Sequence, residues 1–225
     1  MKKILALTLA LMMFTMCFVA CGQNTDNAND TTTTAGSNDV ADTTPVAEET
    51  TEATVELAYN SAIEMLQIIF EKYNATATEE TMLYVGGGNI NNFETVNAEG
   101  PAAFVALDNE DYNQNLGFPA ADADKIVSAA SMFNLMNANT FTCYTIQLTE
   151  GTDADAMANT LKDNILARRW ICGQPEKLVI AKAPGNYLIV VWGVVEFGGI
   201  VDPVAQSFAT SIEGANIVVE QAIAQ

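Results

Sequence analysis

Apolar side chains follow the period of an α-helix most clearly near residue 60. Between residues 59 and 73 they recur at spacings of three and four, which places them on one helical face; they are Tyr59, Ile63, Leu66, Phe70 and Tyr73. The pattern weakens after Thr76. Short apolar runs at residues 82–85 and 102–107 then predict two strands, and the mostly polar residues 108–117 predict a loop.

Two further helices and a strand are predicted for the middle of the chain. Residues 122–136 have two aspartates in the first turn, where the helix dipole favours negative charge; the apolar face of this helix comprises Ile126, Ala129, Phe133 and Met136. Residues 141–148 predict a strand, because Thr, Tyr and Ile are common in sheets. Thr152 is a suitable N-cap for the next helix, whose buried face comprises Ala154, Met157, Ala158, Leu161 and Ile165.

The last quarter of the chain contains the clearest pair of strands. Residues 178–183 and 187–195 flank Pro184-Gly185, which is a turn signal. Residues 188–192 are continuously apolar, which indicates a central strand covered on both faces. Asp202-Pro203 predicts the start of a helix. A last short helix is predicted over residues 216–224.

The order of these elements predicts the fold class. The C-terminal half runs strand, helix, strand, strand, helix, which is typical of an α+β fold. We expect an antiparallel or mixed sheet with helices packed mainly on one face, and we favour a ferredoxin-like arrangement for the C-terminal half. Residues 57–225 are numerous enough to form one domain with its own core.

The first 20 residues have the layout of a secretory signal peptide. Lys2 and Lys3 precede an apolar run over residues 4–18, and Cys21 follows Ala20 directly. This pattern predicts a lipoprotein signal in which Cys21 becomes the acylated first residue, carrying chains such as palmitate. Stable anchoring takes two or more acyl chains, which a diacylglyceryl cysteine supplies. The alternative is an ordinary secreted protein whose signal happens to contain Cys17 and Cys21.

Residues 21–56 predict an acidic, disordered linker. They are rich in Thr, Asn, Asp and Ala, include the run Thr31 to Thr34, and contain no basic residue. Such a segment buries too little apolar surface to offset the loss of chain entropy on folding. We therefore expect residues 57–225 to form a single extracytoplasmic domain tethered to the outer face of the cell membrane.

Charge and composition exclude several classes of function. The formal net charge is −19, and such an acidic chain repels the phosphate backbone of nucleic acids. The sequence has no histidine, which excludes Ser-His-Asp and Cys-His catalysis and imidazole metal sites. Carboxylate chemistry and oxygen-ligated Ca²⁺ sites remain open. We expect no cofactor and no resident metal.

Two groups of residues allow more than one functional interpretation. Cys143 and Cys172 are the only thiols after the linker, and outside the cytoplasm they could form a disulfide; the alternative is two separate buried thiols. Arg168 and Arg169 are the only arginines of the protein and precede Trp170. They fit a clamp for an anion or carboxylate with an aromatic wall. They also fit a helix C-terminus that is complemented by cations.

Acidic and glycine-rich loops offer weaker candidates. Asp108, Glu110 and Asp111 could supply oxygens to Ca²⁺, but their spacing does not match an EF-hand, so a solvated acidic loop is the preferred interpretation. The same carboxylates could be imagined as a glycosidase pair. Gly86-Gly87-Gly88 could form a backbone nest for an anion, but no phosphate-loop residues follow, which favours a flexible turn.

Several segments resemble a known family. They are the run from Ala130 to Phe141 (ASMFNLMNANTF), the run from Asp163 to Trp170 (DNILARRW), the run from Cys172 to Leu178 (CGQPEKL) and the hairpin Gly185-Asn186-Tyr187. Over residues 118–212 the chain resembles an uncharacterised domain family carried by lipoproteins of Gram-positive anaerobes. The resemblance implies a compact α+β domain outside the membrane. It implies no activity and no catalytic residues.

These patterns predict an accessory protein of the cell envelope. We expect a membrane-anchored lipoprotein with a non-catalytic domain that binds an unknown protein or small-molecule ligand. The motivation is that the sequence offers no nucleophile–base set, metal cluster or cofactor loop. The alternatives are a carboxylate-dependent envelope hydrolase and a structural component of the envelope.

Overall fold

The computed structural model describes residues 57–79, 81–135, 140–170, 173–195 and 199–223. The predicted signal peptide, the acylation site Cys21 and the linker at residues 21–56 lie outside the described residues. No helix within the described part of the chain is long and apolar enough to cross a membrane.

The described residues form a seven-stranded sheet in which all paired strands are antiparallel. The strands are β1 (Val85–Gly87), β2 (Ala102–Ala103), β3 (Ile126–Asn134), β4 (Thr142–Leu148), β5 (Lys177–Ala183), β6 (Tyr187–Gly193) and β7 (Asn216–Ala222). Their order across the sheet is β1-β3-β4-β6-β5-β7, and β2 also pairs with β3. Together with the helices this confirms the predicted α+β fold class.

Three helices cover the two faces of this sheet: α1 (Ala62–Asn74), α3 (Ala154–Leu166) and α4 (Val201–Ser211). The single turn α2 (Asn109–Asp111) lies between β2 and β3 in the chain. α1 and α4 share one face, where Leu66 and Phe208 are fully buried. α3 packs against the other face, where Leu161 and Ile165 are fully buried. Every residue of β6 is buried between the two layers, which confirms the prediction of a central strand covered on both faces.

The predicted ferredoxin-like half is wrong because of the position of β7. In that arrangement the last strand would lie beside β4, but here β3 occupies that edge of β4 and β7 pairs with β5. The connections β4-α3-β5 and β6-α4-β7 therefore step in the same direction across the sheet, although β4 and β6 run antiparallel. Right-handed crossovers then place α3 and α4 on opposite faces, so the helices do not gather mainly on one face.

Two predicted helices are strands. The segment predicted as a helix over residues 122–136 has a 3₁₀ turn (Ala120–Lys125) followed by β3. Ala130 and Met132 pack toward α1 and α4, whereas Ala129 packs toward α3, so both faces of β3 carry apolar residues. A strand covered on both faces loses the polar alternation that distinguishes it from a helix. The last predicted helix is β7, whose β-branched run Ile217-Val218-Val219 favours a strand.

The loop predicted for residues 108–117 is wrong, because Asn109–Asp111 form a helical turn that continues as a π-helical turn over Tyr112–Leu116. The remaining predicted elements are confirmed with shifts in their bounds. α1 and the strands β4, β5 and β6 lie where the pattern placed them. The N-cap of α3 is Asp153 rather than Thr152, because the Asp153 carboxylate accepts the backbone N–H groups of residues 155 and 156. α4 begins at Val201, one residue before the predicted Asp202 cap. The hairpin between β5 and β6 has Gly185 at φ 80° and Asn186 at φ 62°, as the turn signal requires.

Candidate functional site

A pocket of about 230 Å³ lies at one end of the sheet, where β3 ends and β4 begins. Five aromatic residues contribute to its wall; they are Phe104, Phe133, Phe141, Trp170 and Trp192. The polar residues in the wall include Asn115, Ser131, Thr142 and Arg168. We call this cavity, defined by these nine residues, the Arg168 pocket.

The two tryptophans of the protein meet at this pocket. Trp192 belongs to β6 and is only 2% exposed, and Trp170 follows α3. Their ring centroids are 6.0 Å apart with an interplanar angle of 63°. Tyr144 of β4 lies edge-on to Trp192 at 5.5 Å between centroids, and its hydroxyl donates to the Leu116 carbonyl at 2.6 Å. This aromatic cluster fixes the inner wall of the pocket.

Arg168 is held against the aromatic cluster just beyond the end of α3. Its guanidinium carbon lies 4.9 Å from the ring centroid of Trp170 and 5.9 Å from that of Trp192. A cation over an aromatic face is attracted by the ring quadrupole. Nη2 donates a hydrogen bond to the Gln114 carbonyl oxygen. The loop that provides this carbonyl is tied to α3, because Asn164 Nδ2 donates to the Gly117 carbonyl at 3.0 Å.

Two donors at this pocket have no acceptor within the described part of the chain. Arg168 Nη1 and Trp170 Nε1 are both buried, and neither has a hydrogen-bond partner among the described residues. Burial lowers the pKa of the Arg168 guanidinium, and the nearby Tyr144 acts in the opposite direction. Arginine nevertheless keeps its charge in proteins. The pocket therefore contains a charged, half-buried side chain with unused hydrogen-bonding capacity.

The loops beside the pocket are joined by a polar network around Asp111. Its side chain accepts hydrogen bonds from Asn89 Nδ2 at 2.8 Å, from Asn91 Nδ2 at 2.6 Å and from the Leu107 N–H at 2.7 Å. Asp111 is only 5% exposed. The hydrogen bond from Asn91 is the largest cause of its lowered pKa, with smaller contributions from Leu107 and Asn89, whereas burial opposes them. Asp111 is therefore ionised and supplied with donors.

The acidic candidates serve the loop structure. Asp108 caps α2 by accepting the N–H groups of Glu110 and Asp111, whereas Glu110 is exposed. Within residues 57–79, 81–135, 140–170, 173–195 and 199–223, no group of three or more Asp, Glu, Cys or His residues could hold a metal ion. Asp111 is ionised, whereas a catalytic acid needs a raised pKa.

The glycine run at residues 86–88 is not a free anion nest. Gly86 and Gly87 belong to β1, and the Gly87 N–H donates to the Asn97 carbonyl at 2.8 Å. The Gly88 N–H donates to Ser131 Oγ at 3.1 Å, and Ser131 returns a hydrogen bond to the Gly88 carbonyl. The flexible-turn interpretation is therefore wrong for Gly86 and Gly87, and Gly88 contributes to the wall of the Arg168 pocket.

Cys143 is buried near the start of β4 and has no disulfide partner among the described residues. It belongs to the core on the side of α1 and α4, where burial raises the pKa of the thiol and keeps it protonated. Cys172 lies outside the described residues. The bridge between Cys143 and Cys172 stays a prediction.

The structure joins one sequence candidate to residues that the sequence pattern did not single out. Arg168 and Trp170 belong to the group for which the sequence left two interpretations open, an anion clamp and a helix C-terminus complemented by cations, and both line the pocket. Trp192, Asn115 and Ser131 were not predicted, because they are distant in sequence and come together only through the order of the strands. Arg169 is exposed and does not line this pocket.

Comparison with known proteins finds no family model, no curated protein and no solved structure that matches this chain.

Proposed function

We propose that this protein is a membrane-anchored extracytoplasmic lipoprotein whose folded domain binds a small ligand in the Arg168 pocket without catalysing a reaction. The observation that carries the proposal is the pair of buried donors, Arg168 Nη1 and Trp170 Nε1, which lack acceptors among the described residues and belong to side chains lining one cavity.

An unused buried donor has a free-energy cost. Leaving a buried N–H without an acceptor costs about 1–3 kcal/mol, and more when the group is charged. Buried polar groups in native proteins are nearly always hydrogen-bonded, so each exception calls for an explanation. Here two exceptions occur in neighbouring side chains beside a cavity. A bound ligand with an oxygen acceptor removes this cost, which favours a binding function over a purely structural one.

The lining of the cavity supports binding rather than catalysis. Ligand sites combine aromatic walls with a small number of polar groups that orient the ligand. The Arg168 pocket has five aromatic residues and a few amides and hydroxyls, and the described residues of its wall include no Asp, Glu, Lys or Cys. Such a wall offers no general base and no nucleophile stronger than a hydroxyl. The hydrolase alternative has no observation in its favour among the described residues.

The binding function is tested with the two tryptophans as reporters. Because Trp170 and Trp192 are the only tryptophans, the fluorescence of the full chain in detergent reports on this pocket. We expect at least one member of a panel of sugars, amino acids, peptides and organic acids to change the emission and to raise the melting temperature. A ligand at a hundredfold excess over Kd stabilises the folded state by about 2.7 kcal/mol.

A variant that fills the pocket provides the control. Thr142→Met enlarges a side chain in the pocket wall, whereas Thr210→Met makes the same exchange on an exposed position of α4. Binding is expected to be lost in Thr142→Met and kept in Thr210→Met. A ligand that stabilises both variants equally binds elsewhere and contradicts the proposal, as does a panel without any response.

The membrane anchor rests on the N-terminal sequence and is tested separately. Cells that express the chain are expected to incorporate labelled palmitate into it and to retain it in the membrane fraction. Cys21→Ser removes the acylated thiol, whereas Cys17→Ser leaves it in place. Label and membrane retention that persist in Cys21→Ser would contradict the anchor.

A further inference from the structure

We propose that the ligand of the Arg168 pocket is a small, singly charged organic anion, namely a carboxylate carried on a short apolar or aromatic body. This inference rests on the proposed binding function and names the chemical class that the pocket would accept.

The charge of the pocket wall points to a monoanion. Arg168 is the only charged residue among the described residues of the wall, which gives the site one positive charge. A neutral ligand would leave this half-buried cation without a counter-charge, and a cationic ligand would be repelled by it. A dianion such as inorganic phosphate would bring a second negative charge into a site with one cation, within a protein of net charge −19. One carboxylate balances the site.

The distribution of ion pairs supports the same conclusion. Four lysines of the described chain are paired with carboxylates at 2.6–3.3 Å; they are Lys125, Lys162, Lys177 and Lys182. Arg168 and Arg169 have no carboxylate within 4.0 Å among the described residues, although the protein has 28 acidic side chains. With acidic groups in such excess, an unpaired arginine at a cavity is available to an external carboxylate.

The geometry of Arg168 suits a carboxylate. The ring of Trp170 and the Gln114 carbonyl hold the guanidinium from two sides, which leaves Nη1 unused. Two residues further along the chain, Trp170 Nε1 is a second donor without an acceptor among the described residues. A carboxylate has two oxygens and can accept from both groups. Because both nitrogens are buried, binding includes a small rotation of these side chains toward the cavity.

The size and the walls define the rest of the ligand. At about 230 Å³ the cavity is smaller than the roughly 300–1,000 Å³ of pockets that hold drug-sized ligands. Phe104 and Phe133 line the same space, together with the two tryptophans. A short apolar or aromatic body fills this space better than a fully hydrated ion. The site is therefore suited to an organic acid rather than to phosphate or sulfate.

Three probes of similar shape and different charge test which ligand charge the pocket prefers. In the full chain in detergent, tryptophan fluorescence is titrated with 3-phenylpropionate, 3-phenylpropionamide and 3-phenylpropylamine. We expect the carboxylate to bind at least tenfold more tightly than the amide, and the amine to show no binding. Equal affinities for carboxylate and amide would leave ligand binding at the pocket intact but overturn the anion class. Failure of all three probes to bind, or tighter binding of inorganic phosphate, would also overturn the inference.

Three arginine variants test whether the preference for the carboxylate depends on Arg168. Arg168→Gln removes the charge in the pocket, and we expect the carboxylate to lose its preference over the amide. Arg169→Gln removes the same charge from the adjacent residue outside the pocket, and the preference should remain. Arg168→Lys keeps the charge without the planar fork and is expected to retain part of the preference. If Arg168→Gln melts cooperatively and still prefers the carboxylate over the amide as strongly as the wild-type protein, the role of Arg168 is contradicted.

Discussion

Gly87→Ala is expected to lower the free energy of unfolding by about 3 kcal/mol, because the added methyl group has no space. A Cβ at Gly87 would lie 2.3 Å from the Ala102 backbone nitrogen and 2.4 Å from the Ser131 backbone oxygen. Both atoms belong to backbone, so the overlap cannot be relieved by turning a side chain. β1, β2 and β3 would have to separate.

Urea unfolding followed by tryptophan fluorescence measures this effect. Gly151→Ala is the matched control, because a Cβ there meets nothing within 4 Å, and the residue adopts φ +81°. A left-handed conformation costs a non-glycine residue about 1–2 kcal/mol, so the control should lose less stability than Gly87→Ala. An equal loss in the two variants would mean that the three strands are not as close as described. Gly87→Ala should also weaken ligand binding, because Gly88 and Phe104 line the pocket.

The elements that the sequence predicted well are those that bury one face or follow strong local signals. α1 and α3 each bury one stripe of apolar residues, so their helical period is visible in the chain. β5 and β6 flank a turn whose residues favour positive φ. In these segments the local pattern and the final environment agree.

The elements that were predicted incorrectly depend on distant neighbours. β3 is covered by α1 on one face, and on the other face Ala129 belongs to the core on the α3 side, so its apolar residues do not alternate. With β3 predicted as a helix, the strand that occupies one edge of β4 was missing from the prediction, which left a ferredoxin-like order open for the C-terminal half. The order of strands is therefore set by a pairing, β3 with β4, whose partner residues the periodicity did not identify.

The candidate site could be predicted only in part for the same reason. Arg168 and Trp170 stood out because arginine and tryptophan are rare in this chain. Nothing in the local sequence indicates that Trp192 of β6 and Ser131 of β3 share a cavity with them. The two strands are brought to this cavity by pairing on either side of β4.

Asp111→Ala is expected to lower the free energy of unfolding by about 3 kcal/mol at neutral pH, because it removes the acceptor of a buried network. Asn89 and the Leu107 N–H both donate to one oxygen of Asp111, and Asn91 donates to the other. Hydrogen bonds to a charged acceptor contribute about 1.5–3 kcal/mol each. Asp111→Asn should lose about half as much stability, because its amide oxygen still accepts from Asn89 and Leu107.

The loss should depend on pH in a defined direction. Hydrogen bonds lower the pKa of Asp111 in the folded state below its usual value of 3.8. A carboxyl whose pKa is depressed on folding contributes its full stability above the unfolded pKa and loses it as the pH falls through the folded pKa. The difference in unfolding free energy between the wild-type protein and Asp111→Ala should therefore be constant near pH 7 and should shrink below about pH 4.

Glu110→Gln separates this local effect from the general charge of the protein. It removes one negative charge from the exposed residue next to Asp111, and surface changes of this kind alter stability by no more than about 0.5 kcal/mol. The comparison is made by urea unfolding of the wild-type protein, Asp111→Ala and Glu110→Gln from pH 3 to pH 7. If the difference for Asp111→Ala grows as the pH falls, the carboxylate is not stabilised in its ionised form. Because the network joins the segment after β1 to the loop that carries Asn115, its loss should also weaken binding in the Arg168 pocket.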